Sequence, residues 1–165
     1  MSNARSKKGR GGFTLIEVAI AVVIIAVGVT ALMLGAASST RTNNASRELT
    51  EAVLLAQDLR EWTVKLPFFD TDLGSPGPLG PEAGEYEVDD LDDLHGQTFS
   101  PPRDATGYQM YDMTGWSQMV TVNWVDPNNL TVISATPTDT VSVQVIVSRD
   151  SIPLLSTGWL VATSD

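Results

Sequence analysis

From Phe13 to Ala37 the chain runs for 25 residues with a single charged side chain, Glu17. No other stretch limits the possible folds so severely. At 1.5 Å per residue such a run makes about 37 Å of helix, enough to cross a hydrocarbon core of about 30 Å. Four bases lie ahead of it, Arg5, Lys7, Lys8 and Arg10, with no acid among the first twelve residues. That asymmetry predicts a cytoplasmic N-terminus and an exported C-terminus. An ordinary secretory signal places its small-residue cleavage site after the apolar core. Here the small pair Gly11-Gly12 comes before it. An uncleaved signal anchor would leave both that placement and Glu17 unexplained.

A carboxylate inside an apolar helix costs about 2.5–3.5 kcal/mol on insertion scales, and such a residue normally has a partner. Cleavage after Gly12 would create an ammonium on Phe13. Phe13 and Glu17 are four apart, so one helix can pair its own amine and carboxylate. Two staggered helices can equally pair the Glu17 of one with the Phe13 amine of the next, which would set an axial register between subunits.

The run Gly12-Phe13-Thr14-Leu15-Ile16-Glu17-Val18 behind a basic leader resembles the class III signal of type IV prepilins and type II secretion pseudopilins. The resemblance covers residues 5–40 closely and extends loosely to residue 66. It implies cleavage between Gly12 and Phe13 by a prepilin peptidase, and N-methylation of Phe13 by the same enzyme. It also implies a charge-pairing role in filament assembly for Glu17. The implied partners are other pilin or pseudopilin subunits, the peptidase/N-methyltransferase and an inner-membrane assembly platform. The implied location is the bacterial inner membrane, single-pass, with the C-terminal domain periplasmic, and afterwards a filament. Many major members carry a proline in the middle of the apolar helix. Val29–Ala36 has none, which resembles the minor subunits better. Gly28 and Gly35, seven apart on one face, permit close helix approach or a local kink, or are simply tolerated in a membrane helix.

Beyond the membrane stretch, Ala45, Leu49, Ala52, Val53, Ala56, Leu59 and Thr63 recur at helical spacing, and charged residues line the other side. Pro67 predicts a helix end near Leu66. Residues 74–84 hold four glycines and three prolines and read as a loop. Glu85–Val88 reads as a short strand, and the chain then stays irregular to about Thr114. Trp116, Gln118, Val120, Val122 and Trp124 alternate along a strand; Leu130–Ala135 makes a second. Val141, Val143, Val145 and Val147 mark a third, and Leu154–Ala162 a fourth. Turns fall at Asp126–Asn129 and at Arg149–Ser151. The expected fold is α+β: a long N-terminal helical spine, transmembrane then amphipathic, packed on a small antiparallel β-sheet. The expected organisation is a cleaved leader at 1–12, a membrane and filament-core helix at 13–37 and an amphipathic half at 38–66. A loop-rich acidic connection at 67–115 and a sheet at 116–165 complete it.

Charge narrows the partners. Residues 68–165 hold fifteen acids and two bases, Arg103 and Arg149, for a net −13. Such a surface repels nucleic acid. It can attract divalent cations, and Asp89, Asp90, Asp92 and Asp93 form the one local cluster with calcium-type donors. Their spacing does not match an EF-hand loop, so a solvated or intersubunit acidic loop is the simpler expectation. An anchored calcium- or ligand-binding module outside the cytoplasmic membrane is the alternative function. His95 is the only histidine, which leaves no His-based metal set or triad; it reads as a loop or core-edge residue. Trp62, Trp116, Trp124 and Trp159 read as core. No cysteine is present, so packing rather than disulfides must hold the exported part. No phosphate loop, zinc spacing or nucleophile motif occurs. The expectation is a structural subunit, not an enzyme, with no cofactor unless calcium binds.

Overall fold

The computed structural model describes residues 12–69, 78–81 and 88–163. The leader up to Gly11, residues 74–77 and 82–84 of the glycine-proline loop, and 85–87 of the expected short strand lie outside the described residues. Helix α1 spans Leu15–Thr63, and strands β1 (Thr98–Phe99), β2 (Trp116–Asp126), β3 (Asn129–Ile133), β4 (Thr140–Arg149) and β5 (Ile152–Ala162) follow. The architecture is α+β. By compactness the chain divides inside α1, into Met1–Ala45 and Ser46–Asp165.

In the first unit the helix is exposed, and from Val18 to Ala37 it carries no charged residue. Its hydroxyls are satisfied locally: Thr30 Oγ1 donates to the Ala26 carbonyl at 2.8 Å, and Thr40 to Ala36 at 3.1 Å. In a bilayer such bonds remove the cost of an orphan hydroxyl.

In the second unit, α1 lays one stripe on the sheet: Ala52, Leu55, Ala56, Leu59, Trp62 and Thr63 are buried. The expected stripe is therefore rotated. Leu49 and Val53 stay about half exposed, and the larger Leu55 and Trp62 take the sheet-facing positions. The helix also stops three residues before Leu66, where Lys65 N–H bonds the Trp62 carbonyl at 2.9 Å.

The sheet order is β1-β2-β4-β5, all antiparallel, with β3 paired to the end of β2. Register explains the core. Gln118 lies opposite Val147, Val120 opposite Val145, Val122 opposite Val143 and Trp124 opposite Val141. Cross-strand partners share a face, so the two alternations add into one apolar surface, fully buried under α1. Each of the four β4 valines contributes about 1.5 kcal/mol or more by burial. The Asp150–Ser151 turn has φ of 49° and 66°, the backbone a two-residue hairpin needs to match strand twist.

One buried polar residue ties the layers together. Gln118 is wholly enclosed. Its Nε2 donates to the Leu55 carbonyl of α1 at 2.8 Å and to the Arg103 carbonyl at 3.2 Å, while its Oε1 accepts the Arg103 N–H at 2.8 Å. Helix, sheet and connecting segment thus share one satisfied amide.

Beside it, Arg103 lies 5.7 Å over the Trp62 ring and 5.0 Å over Phe99, and its Nη1 donates to the Gly107 carbonyl at 2.6 Å. Gly107 has φ +83°, and a Cβ there would sit 2.7 Å from Trp62 Cε2. Gly107→Val is expected to destabilise the fold by about 2–5 kcal/mol, combining left-handed strain with a displaced tryptophan. Gly96→Ala is the control: φ is +75° but the space is open, so only about 1–2 kcal/mol is lost. Denaturant titration followed by tryptophan fluorescence in detergent checks both. Equal losses would show that the Trp62 contact contributes nothing.

The acidic connection departs most from expectation. Asp90, Asp92 and Asp93 are buried, not solvated. Leu91 and Leu94 are fully enclosed, and a single 3-10 turn at Asp92–Leu94 draws the acids between them inward. Asp90 Oδ1 accepts the N–H groups of Asp92 at 3.0 Å and Asp93 at 3.3 Å, and Asp93 Oδ2 accepts that of Asp89 at 3.1 Å. Short acidic side chains are here capping their own backbone.

Candidate assembly site

The N-terminal turn of α1 is built by four residues. Thr14 precedes the first helical residue, and Glu17 stands three further on. Thr14 N–H and Oγ1 both donate to Glu17 Oε2, each at 3.2 Å, and Glu17 N–H donates back to Thr14 Oγ1 at 3.3 Å. This is a reciprocal capping box. The carboxylate also sits where the helix dipole is positive, which favours its charge.

Sequence spacing alone pairs Glu17 with an amine on Phe13. Its bonds in the uncut chain come instead from Thr14, because the Phe13 nitrogen is still an amide joined to Gly12. The signal for the cap, Thr14-Leu15-Ile16-Glu17, was legible. Both Thr14 bonds fall on Oε2; among the described residues none falls on Oε1.

Around this turn everything apolar is open. Phe13 is 85% exposed and Leu15 88%. The most apolar window of α1 is long enough to cross a membrane, and none of it is buried. A Cβ added at Gly12, Gly28 or Gly35 would meet nothing within 4 Å. Among the described residues, none packs where a Gly12 side chain would stand. A shallow groove of about 420 Å³ runs along Ala26, Val27, Thr30, Ala31 and Leu34. Uncovered aliphatic surface of this extent requires a bilayer or neighbouring helices.

The other sequence candidates lie in the sheet and the acidic connection. Among the described residues no group of three or more His, Asp or Glu side chains is placed to hold a metal ion. Of the acidic cluster Asp89, Asp90, Asp92 and Asp93, Asp90 Oδ1 and Asp93 Oδ2 accept backbone N–H groups. His95 is half-buried, and its Nδ1 bonds the Val122 carbonyl. Trp116 and Trp124 are core; Trp159 is half-buried, with its Nε1 donating to Thr63 Oγ1 at 3.1 Å. Burial, with Glu61 and Asp104 nearby, pushes the Asp58 carboxyl up. Hydrogen bonds from Thr106 and Tyr108, with the Lys65 charge, hold Asp104 down.

Residues 7–33 match the family model described as the prokaryotic N-terminal methylation motif. The search of curated proteins and the search of solved structures each found no match to the chain.

Proposed function

We propose, from the premise that this chain carries the N-terminal methylation motif of type IV pilin-like proteins, that it is a structural subunit of an envelope filament. The peptidase cuts between Gly12 and Phe13 on the cytoplasmic face and methylates the new amine. The mature helix leaves the bilayer for a bundle of neighbouring helices, delivered by an inner-membrane assembly platform. Its domain is displayed on the periplasmic side. The observation that carries this reading is the pairing of an uncut Gly12–Phe13 bond with a carboxylate one helical turn away. Those two features lie on an apolar helix that no described residue covers.

A finer reading is a minor subunit, of a type II secretion pseudopilus or a type IV pilus. The uninterrupted, proline-free helix from Leu15 to Thr63 supports it. Filaments sheared from cells that express the assembly machinery test the proposal. The mature chain is expected in that fraction, cross-linked to other pilin-like subunits. A chain found only as a free membrane protein, with no such cross-link, would overturn the reading.

A further inference from the structure

Two asparagines stand two places ahead of a hydroxyl residue with no proline between: Asn44-Ala45-Ser46 and Asn129-Leu130-Thr131. On the surface of an exported protein that pattern marks an acceptor for an asparagine-linked glycan. The hydroxyl belongs to the recognised unit, so it must reach the asparagine amide.

The fold separates the two positions. Asn44 lies inside helix α1. Residues two apart on a helix project about 160° apart round the axis, so Ser46 cannot stand beside the Asn44 amide. Asn129 instead opens strand β3 at the β2–β3 turn, and residues two apart on a strand share a face. Thr131 Oγ1 donates to Asn129 Oδ1 at 2.7 Å, and the Thr131 N–H to the same oxygen at 3.4 Å. Amide and hydroxyl are joined before any enzyme arrives. Both bonds fall on Oδ1, which turns the Nδ2 side of the planar amide away from Thr131. The turn is held by Asp126 Oδ1, which accepts the Asn128 N–H at 2.8 Å. Residues 127–131 are all exposed, so the cleft of a transferase meets a protruding, preformed acceptor.

The surroundings supply a use for the sugar. Strand β3 carries no charge, and each of its five residues is exposed. Leu130 is 48% exposed, Val132 46% and Ile133 66%. Natural edge strands discourage pairing with charges or prolines, and β3 has neither. A bulky, hydrated glycan on its first residue shields that apolar strip.

We propose that Asn129 is an N-glycosylation site, modified once the domain has been exported, and that its glycan guards the β3 edge. The transfer joins Asn129 Nδ2 to the anomeric carbon of an oligosaccharide carried on a lipid pyrophosphate. The C–N bond forms as the anomeric C–O bond breaks. The lipid pyrophosphate leaves with the bonding electron pair, and one Nδ2 proton passes to a base on the transferase. The proposal rests on the membrane-anchored reading above, which exports the domain.

Mass spectrometry of the full chain, purified from the cells that naturally make it, tests the site. A glycan mass is expected on the peptide that contains Asn129 and none on the peptide that contains Asn44. Asn129→Gln should abolish it, Thr131→Ala should lower its occupancy at least tenfold, and Thr131→Ser should retain it. All three changes fall on exposed positions, and tryptophan fluorescence checks that each variant is folded. A bare Asn129, or full occupancy in Thr131→Ala, would overturn the proposal. The same spectra read the N-terminus. A chain that begins at Phe13 with a bare Asn129 sinks the glycan alone; one that still begins at Met1 sinks the anchored-subunit reading.

Discussion

Glu17→Ala is expected to leave cleavage after Gly12 intact and to exclude the mature chain from filaments. In a helix bundle the carboxylate and a neighbouring N-terminal ammonium lie in a medium far less polar than water. Removing one partner of such a pair strands the other, at a cost of about 3–5 kcal/mol. That corresponds to a loss of about a hundredfold to several thousandfold in association. The capping box complicates a simple reading of alanine, because Glu17 also holds Thr14. Losing a cap alone costs about 0.5–2 kcal/mol. Glu17→Gln separates the two effects, since glutamine can close a capping box without the charge. If charge pairing drives assembly, the glutamine variant fails nearly as badly as alanine. Immunoblots of the sheared and membrane fractions measure both. A glutamine variant that assembles normally would assign Glu17 to capping alone.

Gly12→Val is expected to leave the chain uncut, twelve residues too long, and confined to the membrane. The substitution meets no resistance from the described residues of its own fold. A Cβ at Gly12 contacts nothing within 4 Å. Any failure to mature must therefore arise in the peptidase, whose cleft must admit the backbone on both sides of the cut bond. The intact-protein mass of membrane extracts reads the outcome. Normal trimming of the valine variant would remove Gly12 from the recognition element.

These two predictions lie in the part of the chain that was most legible. An apolar run with one acid and a basic leader admits few structures, and each residue there acts through composition or nearest spacing. The strands β2 and β4 were legible for a similar reason. Their alternating valines and tryptophans match a half-buried sheet over nine residues of register, and turn residues bracket them. The helix face was harder. Ala45, Leu49 and Val53 fit the apolar period, but the sheet meets α1 one notch round, where Leu55 and Trp62 fill more volume.

Burial of Asp90, Asp92 and Asp93 was not legible, because it depends on Leu91 and Leu94 reaching a core built by residues distant in sequence. Strand β1, two residues long, carries no periodic signal at all. The Gln118 clamp was visible only as a polar residue on an apolar face. What made it tolerable, three bonds to helix and connection, comes from tertiary placement.

On the proposed reading, this chain becomes a filament subunit by cleavage between Gly12 and Phe13. N-terminal sequencing, with mass analysis of the terminal residue, tests it on protein isolated from cells that carry a prepilin peptidase. The expected product is a chain that starts at Phe13 with a methylated amine. A chain that still starts at Met1, or one severed beyond Ala37, would contradict it.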